Sequence, residues 1–151
     1  MKKKNLMKSL TALVLSVLMV LNLAACGAKP SDGGKDADKD GYTVAIIKQM
    51  DHASLDEIAD AIAARLDAIA QEQNVSIRYT ITSGQGDQSV LKQLADQAVA
   101  DQVDAIIPIA TTAAQVSAVA AEDSRTPVVY AAISDPDTAK LTGIDYVTGT
   151  S

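Results

Sequence analysis

Residues Asp104 to Val116 read DAIIPIATTAAQV. Ala105 to Ile109 form an apolar run without polar alternation, the pattern of a strand covered on both faces in a parallel sheet. Ala110 and Thr111 make a short turn, and the sequence predicts a helix from Thr112 to about Asp123. Thr112 and Gln115 stand at the spacing of a capping box, in which both side chains satisfy free amides of the first turn. Pro108 runs against the strand, because it has no N–H to donate and favours strand ends or edges. The predicted unit sets a helix N-terminus at the carboxyl end of a strand, behind small residues. Its free amides and positive dipole end suit an anion.

The unit recurs along the chain. Tyr42 to Lys48 (YTVAIIK) is a strand, and Ser54 to Asn74 a long helix. Leu55, Ile58, Ala59, Ile62, Leu66, Ile69 and Ala70 follow the three-and-four spacing of one buried face. Ser54 and Glu57 fit a second capping box. Ser76 to Thr82 (SIRYTIT) alternates polar and apolar residues, as a sheet-edge strand does. Asp87 caps a helix to about Asp101, with Val90, Leu91, Leu94, Ala95, Ala98 and Val99 inward. Pro127 to Ala132 is a further strand. Ser134-Asp135-Pro136 opens a short helical turn, with Pro at its first position. Gly143 to Val147 is the expected last strand.

Strands alternating with helices of this length define an α/β fold, a doubly wound parallel sheet with flanking helices in a flavodoxin-like order. All strands then point one way. The turns Gln49 to Ser54, Ser83 to Asp87, Ala110 to Thr112 and Ile133 to Pro136 gather on one edge, where open α/β sheets bind ligands.

The 151 residues are 48% apolar and contain no Phe or Trp, so Ile, Val, Leu and Ala must build the core. The net charge is -6; Lys2, Lys3, Lys4 and Lys8, unopposed by any acid before Cys26, leave the remainder at -10. So acidic a body is a poor nucleic-acid binder. Residues 1–25 read as an export signal: a lysine-rich start, then an apolar run from Leu10 to Leu23 that is short for a membrane span. The sole cysteine follows in LAACG, which resembles the bacterial lipobox. That resemblance implies lipidation of Cys26, with the mature chain anchored by acyl chains such as palmitate to the outer face of the cell membrane. Gly27 to Gly41 (GAKPSDGGKDADKDG) lacks large apolar residues and reads as a flexible tether spanning about 20 Å.

The turns carry both signs of binding chemistry. Helix N-termini favour a carboxylate, while Asp51, Asp87 and Asp135 favour a cation; together they suit a zwitterion such as an amino acid. Asp87 and Asp135 read equally as plain caps. His52, the only histidine, reads equally as a ligand-facing group or an exposed loop residue. Thr111 and Thr112 supply one cap and one hydroxyl facing the cleft. Thr148 to Ser151 read as a terminus before they read as a site. Gly84-Gln85-Gly86-Asp87 is a tight turn; no GK[ST] follows, so nucleotide binding is not indicated. No catalytic, metal-binding or cofactor motif is present, and the expected protein is not an enzyme.

These turns also carry a family resemblance. QMDHASLD from Gln49, GQGDQSVL from Gly84, IPIATTAAQV from Ile107, AAISDP from Ala131 and VTGTS from Val147 resemble substrate-binding lipoproteins of ABC transporters, of the tryptophan/tyrosine type. The resemblance runs from about Tyr42 to the end. It implies a lobe like those of type I periplasmic binding proteins, paired with a second lobe across a cleft. It implies a solute-binding function for aromatic amino acids or related small solutes, and delivery to an ABC permease. On that likeness the first-lobe ligand contacts fall at Gln49, His52, Asp87, Gln88, Thr111, Thr112, Ser134 and Asp135. Family members are about twice as long, so residues 42–151 are expected to be an N-terminal lobe cut before its second. Two other readings share the features: a membrane-tethered sensor or interaction domain, and a flavodoxin-like enzyme.

Overall fold

The computed structural model describes residues 41–151. The expected export signal, the expected lipidation site at Cys26 and all of the expected tether except Gly41 lie outside the described residues. The elements are β1 (Gly41–Lys48), α1 (Ala53–Gln73), β2 (Ser76–Ser83), α2 (Gln88–Ala100), β3 (Ala105–Ile109), α3 (Thr111–Ala120), β4 (Val128–Tyr130) and β5 (Val147–Gly149). They form one sheet in the order β2-β1-β3-β4-β5, with every neighbouring pair parallel. This is the expected doubly wound, flavodoxin-like arrangement.

The pleat of β1 distributes its residues to two cores. Val44 and Ile46 cluster with Leu55, Ile58, Ile62 and Leu66 of α1, while Ala45 and Ile47 cluster with Leu91, Ala95 and Ala98 of α2. Helices therefore cover both faces of the centre of the sheet. Alanines fill much of the interface (Ala59, Ala63, Ala95, Ala113, Ala114), so the helices approach the sheet closely without aromatic side chains. The alternating strand is at the edge, as its pattern predicts. Ile81 of β2 is 41% exposed, although its register partner Ile46 is fully buried.

Pro108 does sit in an interior strand, and the sheet accommodates it on one side. The β1–β3 ladder is unbroken from Val44–Ala105 to Lys48–Ile109. Toward β4, the Ile106 amide donates to Pro127 O at 2.9 Å and the Ala110 amide to Ala131 O at 3.0 Å. The same two-residue step sets position 108 against the Val129 carbonyl, where proline has no proton to give. The ladder reduces there to an Ile106–Val128 pair and an isolated Ile109–Ala131 bridge. β4 is the three residues that pair with β5, shorter than Pro127 to Ala132, and Ala131 stands outside it as that bridge.

Several boundaries differ from expectation. Helix α1 starts at Ala53, and His52 Nδ1 accepts the Ser54 amide at 3.3 Å, so Ser54 and Glu57 do not form the cap. Helix α3 starts at Thr111 behind Ala110, which has φ 79 and makes no side-chain cap. Gln115 instead donates to Ala139 O at 3.0 Å, which removes it from the predicted box. Gly143 has φ +74, a turn conformation, and the last strand is Val147–Gly149 rather than Gly143 to Val147.

Ser117 lies in α3 with 1% exposure, and its hydroxyl has no hydrogen-bond partner among the described residues. Burying an unpaired hydroxyl costs about 1–3 kcal/mol. Ser117→Ala is expected to raise the urea midpoint by the equivalent of about 1 kcal/mol at unchanged slope. A lower midpoint would mean that the hydroxyl has a partner after all.

Candidate rim of polar turns

The parallel sheet delivers its strand-to-helix turns to one edge, and backbone hydrogen bonds join them there. Gly84 N–H donates to Lys48 O at 2.9 Å, and Gly86 N–H to Gln49 O at 2.9 Å. Gln49 N–H donates to Ile109 O at 3.1 Å. The Ala110–Ala131 bond continues the row to the end of β4, from which the fourth turn follows, so the turns lie along the edge in the order of the strands.

The predicted site residues all lie on this rim, in different roles. Gln49 is half-buried, and its Oε1 accepts the Thr112 amide at 3.0 Å, so these two residues meet. A side chain from another turn thus supplies the helix cap that Thr112 and Gln115 were expected to form. Thr111, the first residue of α3, is exposed beside them. His52 is exposed and caps α1. Asp87 caps α2 as predicted, with Oδ1 accepting the amides of Ser89 at 2.7 Å and Val90 at 3.3 Å. Gln88 follows it, exposed. Asp135 accepts both the Thr138 amide at 3.0 Å and the Thr138 hydroxyl at 2.7 Å, closing the turn that Pro136 opens. Ser134 is exposed beside it.

The second turn needs its glycines for two reasons. Gly86 has φ +75, open to glycine without strain. Gly84 is buried where a Cβ would collide with Leu91 of the α2 core; there glycine serves close packing.

Two groups not assigned to the site in the sequence stand at its centre. Lys48 closes β1 with only 13% of its side chain exposed, paired with Asp51 at 3.1 Å and with Asp56. Gln85 Nε2 donates to the second oxygen of Asp51 at 2.6 Å. A lysine ending an apolar strand, three residues before an aspartate, was the available signal.

These contacts set the charges. The Gln85 amide, then the Lys48 ammonium and Ser83, hold the Asp51 carboxyl below its ordinary 3.8. The backbone amides of Ser89 and Val90 do the same for Asp87, and the Thr138 amide and hydroxyl for Asp135. Hydrogen bonds to Asp56 and Asp51 raise Lys48 above 10.5 against the opposing effect of burial. Depressed carboxyls contribute stability that is complete above 3.8 and is lost as pH falls through their lower folded-state values. Stability is therefore expected to fall as the pH drops below about 4, and less steeply in an Asp87→Asn, Asp135→Asn double variant. Urea midpoints across that range decide it; parallel profiles would contradict the capping assignment.

A groove of about 540 Å³ lies between α2 and α3. Lys92, Asp96, Val116 and Val119 line it, and only Gln88 and Ser89 reach it from the rim. Lys92 and Asp96 already pair with each other at 2.6 Å. The polar side chains of His52, Asp87, Gln88, Thr111, Ser134 and Asp135 stand exposed on the rim instead. Among the described residues no group of His, Cys, Asp or Glu is arranged to hold a metal, and no helix is long and apolar enough to cross a membrane.

The sheet order and the rim are those of a doubly wound α/β lobe, a fold shared with periplasmic binding proteins. The profile of the ABC transporter substrate binding protein family matches residues 43–149, and the chain belongs to that family. Among solved structures it is similar to an ABC domain in complex with L-Trp from Streptococcus pneumonia, at 31% identity and a TM-score of 0.63. The match covers 74% of this chain and 38% of that one. A conserved domain protein from Vibrio cholerae is 25% identical with a TM-score of 0.62, over 72% of this chain and 38% of the other. The leucine binding protein LivK of Thermotoga maritima shares the fold at 17% identity and a TM-score of 0.56, over 72% and 32% of the two chains. The chain therefore spans well under half the length of these relatives. No match was found among curated proteins.

Proposed function

We propose that this chain is the first lobe of a solute-binding lipoprotein serving an ABC importer, and that its rim takes one face of a small amino-acid-like zwitterion. The observation that carries this reading is the gathering of four strand-to-helix turns along one edge of the parallel sheet, the first three joined by hydrogen bonds, with donors and carboxylates side by side. A ligand carboxylate would meet the first-turn amides of α3 that Gln49 does not take, and the hydroxyls of Thr111 and Thr112. A ligand ammonium would meet the side of the rim bearing Asp51 and Asp87. His52 and Gln88, with Ser134 and Asp135, would border the ligand from the flanking turns. The similarity to a structure holding L-Trp favours an aromatic amino acid.

Capture without turnover is the expected mode. His52 Nδ1 already accepts the Ser54 amide, which takes that nitrogen away from general-base work. A second lobe would close over the ligand by a hinge and present it to the permease. Lipidation at Cys26 would keep the protein at the outer face of the membrane beside that permease.

Thermal-shift measurements over the amino acids test the reading. A ligand at tenfold its dissociation constant stabilises the folded state by about 1.4 kcal/mol. L-tryptophan is expected to be among the stabilising compounds. Stabilisation by none of them, together with turnover of any, would overturn the proposal. Incorporation of labelled palmitate, lost in Cys26→Ser, is the matching test of the anchor.

A further inference from the structure

Lys48, Asp51 and Gln85 form a chain of polar contacts from the first turn of the rim to the second. A lysine that needed only solvation would extend into water. This one stays largely covered between Asp51 and Asp56, which are themselves 55% and 45% exposed. It thus contacts one carboxylate in the turn and another in the first turn of α1. The Asp51 oxygen it leaves free accepts Gln85 Nε2 at 2.6 Å. Gln85 has φ 54, and its own amide donates to Ser83 Oγ at 3.3 Å. The third turn is tied in separately, by Gln49 on the Thr112 amide.

We propose that Lys48 is a positioning residue of the rim: its ammonium fixes Asp51 in the orientation that clamps Gln85, so the first two turns present their polar groups as one preset surface. An ion pair whose carboxylates stand half in water contributes little stability by itself. What the arrangement supplies is order, since side chains already held in place need not be immobilised when a ligand arrives. The geometry stands without the solute-binding reading, on which only the effect on affinity rests.

The test uses the full chain, isotope-labelled, by NMR. Without ligand, Lys48→Met is expected to raise the titration midpoint of the Asp51 carboxyl carbon and to move the Gln85 side-chain amide and the backbone amides of 83–86. Lys48→Arg restores both, as loss of fold would not. Gln85→Ala raises the same midpoint, and the two changes are non-additive. Perturbation by Lys48→Met confined to 48–56, with Gln85 unmoved, overturns the proposal. Should Lys48→Met fail to fold, Gln85→Ala decides alone: an unchanged Asp51 midpoint overturns it. With L-tryptophan as probe, Lys48→Met is expected to weaken binding roughly two- to tenfold, with recovery in Lys48→Arg. Equal affinities would overturn the ordering role. Absence of binding to the unaltered chain would count against the solute-binding reading, while the ligand-free measurements still decide the role of Lys48.

Discussion

Alanine at position 46 is expected to lower the unfolding free energy by about 2–5 kcal/mol, the range for deleting a buried isoleucine side chain to alanine. Ile46 is fully buried at the centre of the sheet, among Val44, Ala59 and Ile109 with α1 above them. Its register partner in β2, Ile81, is 41% exposed. Ile81→Ala should therefore cost only about 1 kcal/mol or less, near the range of surface substitutions. The pair holds residue type constant on directly paired positions, so the difference reports strand order. Urea unfolding of the two variants measures it. Equal losses would mean that β2 is not the edge.

The second large effect is expected at Gly84. A methyl group there would enter the Leu91 side chain, which is 1% exposed, and would stand 3.1 Å from Gln49 O. Overpacking of this kind costs about 1–3 kcal/mol. Relief by moving Leu91 disturbs the α2 core; relief by moving the turn disturbs the Gly86–Gln49 hydrogen bond that joins the first two turns. Gly84→Ala should thus lose stability and shift the amide resonances of the rim together. A variant of unchanged stability would contradict the close packing of the second turn on α2.

The elements that follow a local pattern were legible in the sequence. The apolar run of Ala105 to Ile109 gave a strand buried on both faces, and the alternation in SIRYTIT gave the edge. Asp87 caps α2 as its position predicts because an aspartate reaches amides two and three residues ahead. The features that were missed depend on partners distant in sequence. Thr112 and Gln115 have capping-box spacing, but Gln49 reaches the amide first and Ala139 O takes Gln115. Lys48 read as the end of a strand; its partners Asp51 and Asp56 are near in sequence, but the Gln85 contact that ties Asp51 to the second turn exists only once β1 and β2 are paired. The three-residue β5 carries too little pattern to place, and the turn at Gly143 was mistaken for its start. Gly84 looked like a turn glycine; its close contact with Leu91 is a fact of packing.

Titration of the isotope-labelled chain with amino acids, L-tryptophan among them, followed by amide NMR, addresses the rim most directly. Millimolar concentrations suffice to see the weak binding expected of one lobe. The predicted result is a set of saturable shifts centred on residues 49–52, 84–88, 110–112 and 133–135. Shifts confined to the groove between α2 and α3, or none with any amino acid, would contradict it.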